Sequence, residues 1–115
     1  MTNNKRAIGK DYEEQACKYL VEAGMEILER NYRKRTGEID IIARDGEYIV
    51  FIEVKFRSST ERGGAFYAIS RKKKQTIDKV AMWFLCEREI PLNSLCRFDA
   101  VLIDGSEISH VKNAW

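Results

Sequence analysis

Apolar residues recur every three or four positions at Tyr12, Ala16, Tyr19, Leu20 and Ala23. That spacing predicts a helix burying one stripe, with Gly9 before it and Gly24 after it as a C-cap. From Met25 to Tyr32 the pattern loosens toward alternation and predicts a short strand. The run RNYRKRTG that overlaps its end reads as a basic loop. Residues 38–44 and 48–57 read as two strands, and ARDGEY between them is a hairpin signal. Ser58 to Ile69 carries Ser, Thr, Gly63 and Gly64 and reads as a flexible loop. Helical spacing returns between Arg71 and Arg88, at Ile77, Val80, Ala81, Phe84 and Leu85. Beyond Pro91, RFDAVLID and EISHVKN read as strands joined at Asp104-Gly105. The order α-β-β-β-α-β-β predicts one α/β domain over residues 1–115, a mixed sheet with helices packed on it.

The bulk properties narrow the class. A chain of 115 residues with 44% hydrophobic and 33% charged residues fits one globular core, not a disordered chain. No apolar run approaches the ~20 residues of a membrane span, and MTNNKRAIGKDYEEQ has no apolar signal region. A cytoplasmic protein is the expectation. Cys17, Cys86 and Cys96 are odd in number and widely spaced, so they read as reduced packing residues, not a zinc site or disulfide framework.

Net charge is +2, yet residues 30–79 hold 13 Lys/Arg against 7 Asp/Glu. A basic middle points to a polyanionic partner, although a solvated basic face gives the same composition. Four cations, Arg71, Lys72, Lys73 and Lys74, open the second helix. A helix N-terminus already carries partial positive charge, so this placement favours a docked phosphate over an isolated helix. Arg33, Lys34, Arg35, Arg57 and Arg62 extend the candidate nucleic-acid surface around the hairpin. Tyr32, Phe66 and Tyr67 are candidates to stack on bases or simply to pack. His110, the lone histidine, reads as a surface or edge-strand residue and supports no histidine triad.

The hairpin itself carries the sharpest chemistry. With a two-residue turn at Asp45-Gly46, Ile42 faces Ile49, Asp40 faces Phe51 and Glu38 faces Glu53. Strand alternation puts these six on one face with Lys55, and leaves Ile39, Ile41, Val50, Ile52 and Val54 on an apolar opposite face. Asp40 and Glu53 become diagonal neighbours on a partly buried surface. Two such carboxylates repel unless a cation intervenes. Mg²⁺ or Mn²⁺, held by one or two carboxylates with waters and a phosphate, supplies that cation. Lys55 beside them suits a role in orienting water or stabilising transition-state charge. Glu13, at the border of the first helix's apolar stripe, is a further candidate ligand. A plain alternative stays open, in which Glu38 and Lys55 form an ordinary cross-strand ion pair at exposed strand ends.

These residues resemble the PD-(D/E)XK nuclease motif: Asp40 after Ile39, then Glu53-Val54-Lys55 as the ExK element. Ile39 stands where the motif's name has proline. The wider set GKDYEEQACKYL, ILERNYR, GEIDIIARDG, VFIEVKFR, RFDAVLI and HVKNAW resembles the YraN-like family of small bacterial proteins, related to archaeal Holliday junction resolvases. The resemblance implies a restriction-endonuclease-like core and metal-dependent phosphodiester cleavage of DNA, branched or junction DNA included. It implies metal and catalytic roles for Glu13, Asp40, Glu53 and Lys55, and matches Lys73 to a lysine on the second helix. A homodimer would suit such a substrate. Two rival classes remain: a non-catalytic nucleic-acid-binding module of the same fold, and a protein-interaction domain anchored on Trp83 or Trp115.

Overall fold

The computed structural model describes residues 5–57 and 70–114, with side chains from residue 11 to 56 and from 70 to 114. The predicted loop over 58–69, with Arg62, Phe66 and Tyr67, lies outside the described residues, as do Trp115 and the side chain of Arg57. Seven elements follow in the expected order: α1 (Lys5–Glu22), β1 (Glu26–Lys34), β2 (Gly37–Asp45), β3 (Tyr48–Arg57), α2 (Arg71–Glu87), β4 (Cys96–Asp104) and β5 (Glu107–Val111). The five strands form one sheet in sequence order. Every neighbouring pair is antiparallel except β3 and β4, which run parallel because α2 carries the chain back between them.

Strand alternation gives the sheet two apolar faces, each covered by one helix. Ala16, Cys17 and Leu20 of α1 pack on Ile41, Ala43, Val50, Ile52, Val101 and Ile103. Ile77, Val80, Ala81, Phe84 and Leu85 of α2 pack on Ile39, Ile42, Ile49 and Phe51. The stripe expected for the second helix is its buried stripe. In α1, Ala16 and Leu20 are buried, Tyr12 and Tyr19 are half-buried against the same core, and Ala23 lies past the helix end and is exposed. No helix among the described residues is long and apolar enough to cross a membrane.

Two expectations are corrected. The run RNYRKRTG is not a loop: β1 continues to Lys34, which pairs with Gly37, and only Arg35 and Thr36 make the turn. The sequence lacks the Gly-Asn clustering of a strong turn there, and charged residues on a one-sided edge strand mimic a loop. The hairpin turn also sits one residue later than expected. Asp45 pairs with Tyr48, so Gly46-Glu47 is the tip, and Ile42 faces Phe51, not Ile49. Gly46 takes φ 62°, a left-handed conformation that glycine adopts without a Cβ penalty.

Gly37 answers a different constraint. A Cβ built there would stand 2.2 Å from Thr76 Cγ2, so the start of β2 lies directly against α2. This close approach fixes the β1–β2 turn beside the first half of that helix.

Candidate carboxylate site

The β1–β2 register shifts once between Ile27 and Glu29, and side-chain alternation fails again further along, where the acidic residues lie. Arg30 pairs with Ile41 and Tyr32 with Ile39, leaving Asn31 opposite Asp40. Ile41 packs under α1, whereas Ile39 and Tyr32 pack under α2. Both strands therefore switch faces across this pair. Asn31 has φ 53°, a conformation that asparagine tolerates better than most side chains. The apolar face expected to run through Ile39, Ile41 and Ile52 is interrupted here.

The β2–β3 pairing runs out beyond Ile41 and Ile52. At that point Asp40 Oδ2 accepts a hydrogen bond from the Val54 amide at 2.8 Å. A side-chain carboxylate thus holds the strands together where the backbone ladder stops. Burial pushes the Asp40 carboxyl up, Glu53 adds the next push, and the Val54 bond only partly offsets them. The result is a pKa of about 7.

Glu53 is buried, at 9% exposure, in the middle of β3. It alternates with Ile52 and Val54, which pack with the α1 core, so it points to the α2 side. There Lys73 Nζ reaches its Oε2 at 3.3 Å. The lysine is placed by the helix start: the Ser70 side chain caps α2 by accepting from the Lys73 amide at 3.1 Å. Lys55 follows Glu53 by two residues, shares its side of β3 and is half-buried.

Glu13 approaches from α1. Burial raises its pKa first, a hydrogen bond from Asn31 opposes this, and the charges of Glu38 and Glu53 raise it further. One of its oxygens, Oε1, is buried without a hydrogen-bond partner. Glu38 does not face Glu53 or pair with Lys55. It forms an ion pair with Arg33 of β1 at 3.3 Å, and Arg33 is its register partner.

The basic candidates divide. Arg71, Lys72 and Lys73 are exposed on the first turn of α2, and Lys74 is half-buried. Arg33 and Arg35 are exposed. Lys34 is not a free cation, because it is bound to Glu87, which also accepts from Tyr32. A long side chain on the sheet face under α2 meets that helix before it meets solvent.

The sequence reading missed a second polar cluster. Asp99 is fully buried and accepts from Arg97 Nε at 2.9 Å and from the Asn113 amide at 3.1 Å, with His110 Nε2 at 2.7 Å. Arg97 also reaches Asp45 at 2.9 Å. His110 does lie on edge strand β5, but its side chain is only 8% exposed. The signal was available: Arg97 and Asp99 interrupt an apolar strand just as Glu53 does. Asn31 gave no such signal, since its role comes from backbone conformation.

The site fits a divalent cation in part. Asp40 and Glu53 offer carboxylate oxygens of the right chemistry, and Glu13 brings an unsatisfied buried oxygen beside them. Among the described residues, however, no three histidine, cysteine or acidic side chains are gathered closely enough to hold a metal by themselves. Two carboxylates completed by waters and a phosphate is the arrangement Mg²⁺ ordinarily accepts.

The mixed five-stranded sheet, the α-β-β-β-α-β-β order and a helix on each face make this an α/β protein with a restriction-endonuclease-like core. The family model described as uncharacterised protein family UPF0102 matches residues 12–103. A UPF0102 protein of Lachnoclostridium phytofermentans is 44% identical over 97% of this chain and 95% of its own length. UPF0102 proteins of Dechloromonas aromatica and Persephonella marina are 40% and 44% identical, covering 95% and 93% of this chain and 88% and 91% of their own. The chain belongs to the UPF0102 family, the YraN-like family that its motifs resemble.

Proposed function

We propose that this protein is a divalent-metal-dependent nuclease that hydrolyses phosphodiester bonds of DNA, with branched or junction DNA as its substrate class. The observation that carries the reading is the pair Asp40 and Glu53: two carboxylates at one strand junction, Glu53 buried and Asp40 half-buried, with Asp40 pushed to about 7 by burial and by Glu53. A structural role for such a pair would be costly, because buried like charges repel. A cation-binding role explains why both are kept.

Bound Mg²⁺ or Mn²⁺ would supply Lewis-acid polarisation of the scissile phosphate and a water of lowered pKa. Asp40 and Glu53 would hold the ion, with Glu13 as the flanking carboxylate. Asp40 is fixed for this by the Val54 amide, which leaves its other oxygen available. Lys55, on the side of Glu53, orients the attacking water and meets charge developing on the phosphate. Lys73 releases Glu53 and turns to the phosphodiester backbone when DNA docks at the start of α2. Arg71, Lys72, Lys74, Arg33 and Arg35 add backbone contacts, which position the strand without reading its sequence.

A second reading, a non-catalytic nucleic-acid-binding module, is favoured by one observation: Lys73 already compensates Glu53. It predicts salt-sensitive binding with no metal requirement.

The test is cleavage of linear, single-stranded, flap and four-way DNA with Mg²⁺, Mn²⁺ or chelator, alongside Asp40→Asn and Lys55→Ala. Metal-dependent cutting abolished in both variants supports the nuclease. Binding without cutting under every condition supports the module. Equal cutting by wild type and variants sinks the site assignment.

A further inference from the structure

One exposed face of α2 is absorbed neither by the core nor by the carboxylate site. Lys72, Thr76, Lys79, Trp83 and Cys86 recur three or four residues apart, so they form one stripe along the helix. The stripe begins in the turn that holds Lys73 against Glu53 and runs beside the β1–β2 turn, where Gly37 touches Thr76. At its far end lies an open cavity of ≈ 340 Å³ lined by Thr36, Lys79, Met82, Trp83 and Cys86. Met82 and Trp83 are each 54% exposed and line the cavity side by side, so they form an apolar patch there.

The charges around the cavity select the occupant. Lys79 lines it, and Arg35 is exposed next to Thr36 at the turn. Lys34 Nζ stands 5.8 Å from the centre of the Trp83 ring, where it also neutralises Glu87. A large aromatic ring with Lys79 lining the same cavity and Arg35 exposed beside it suits a flat, aromatic group carrying a phosphate. An apolar protein segment would not need the cations, and a bare phosphate would not need the ring. Trp83 lies about 15 Å along the helix axis from Lys73, at 1.5 Å per residue.

We propose that Trp83 is a stacking platform for an unpaired base of a nucleic-acid strand whose phosphates follow Lys72 and Lys79 toward the carboxylate site. The proposal rests on the nucleic-acid reading above and narrows its substrate to strands with an accessible, unstacked base. Base-aromatic stacking tolerates any sequence, because every base presents a π-face.

The test uses the full chain and three fluorescently labelled probes: a thymidine single strand, the same strand with abasic sites, and a blunt duplex. Wild type, Trp83→Ala and Trp83→Phe are compared by anisotropy, with circular dichroism and gel filtration as controls for folding and oligomeric state. Trp83→Ala should weaken single-strand binding about tenfold. It should leave abasic-strand and duplex binding unchanged, and Trp83→Phe should restore most of the loss. Equal single-strand affinity in wild type and Trp83→Ala overturns the platform while leaving the nucleic-acid reading intact. So does a loss that is the same on all three probes, or a change of oligomeric state without a change of affinity. No binding of any probe by wild type overturns the platform together with the reading it rests on.

Discussion

Lys73 Nζ lies 3.3 Å from Glu53 Oε2 and joins the first turn of α2 to the middle of β3. The contact places a half-exposed cation against a buried carboxylate at the end of a helix that carries no acidic residue in its first turn. A lysine there opposes the helix dipole, and Glu53 offsets that cost.

Replacing Lys73 by glutamine should therefore destabilise the protein modestly, by about 1 kcal/mol, since solvent already screens half of the lysine. The same variant should gain more stability from added Mn²⁺ than wild type does, because the cation replaces the lost charge. Urea denaturation with and without Mn²⁺ measures both effects.

Asp40 should make stability depend on pH in the direction opposite to an ordinary salt-bridged aspartate. Its folded pKa of about 7 lies above the unfolded value, so the folded state holds the proton more tightly. In chelator, stability should fall as pH rises from about 4 through 7 and stay low above that. Asp40→Asn keeps an oxygen for the Val54 amide and removes the charge. It should be more stable than wild type at pH 8 by about 1–3 kcal/mol, with the difference vanishing near pH 4. Chemical denaturation across this range checks the sign.

Gly37→Ala should cost about 1–3 kcal/mol, because the new methyl would stand 2.2 Å from Thr76 Cγ2 on a β-branched side chain with restricted χ1. Thr76→Ser removes the colliding methyl and should recover much of the loss. A double-mutant cycle on thermal unfolding gives the coupling directly.

The second cluster behaves as a structural tie. Burial alone would raise the Asp99 carboxyl, but hydrogen bonds from His110, Arg97 and the Asn113 amide outweigh it and hold it below the usual aspartate range. Its contribution is therefore present above pH ~4 and lost as pH falls further. Asp99→Ala should cost about 3 kcal/mol at pH 7, because it strands Arg97 with only Asp45. The loss should shrink under acid.

The order of elements was legible because both helices bury an apolar stripe, complete in α2 and centred on Ala16 and Leu20 in α1, and the strands between them are dense in β-branched residues. The two hairpin residues Asp40 and Glu53 were legible as charges in a strand otherwise fit for the core. The exact register was not, since Asp45-Gly46 and Gly46-Glu47 are both chemically reasonable turns and only packing chooses between them. A turn one residue later slides the two strands by two positions, which preserves side-chain alternation, so Asp40 and Glu53 remain neighbours despite the error. Asn31 and the face switch were invisible because alternation is the assumption on which a strand is read. The ion pair of Lys34 was not legible, because its partner Glu87, 53 positions away, is brought beside it only by the tertiary fold.

The central claim is that Asp40 and Glu53 form one site for a divalent cation. Calorimetric titration of Mn²⁺ into chelator-stripped protein tests it most directly. One ion should bind per chain, with proton release at pH 6, where Asp40 is largely protonated, and little release at pH 8. Binding should be lost in both Asp40→Asn and Glu53→Gln. Absence of Mn²⁺ binding by wild type, or unchanged binding in both variants, would contradict the claim.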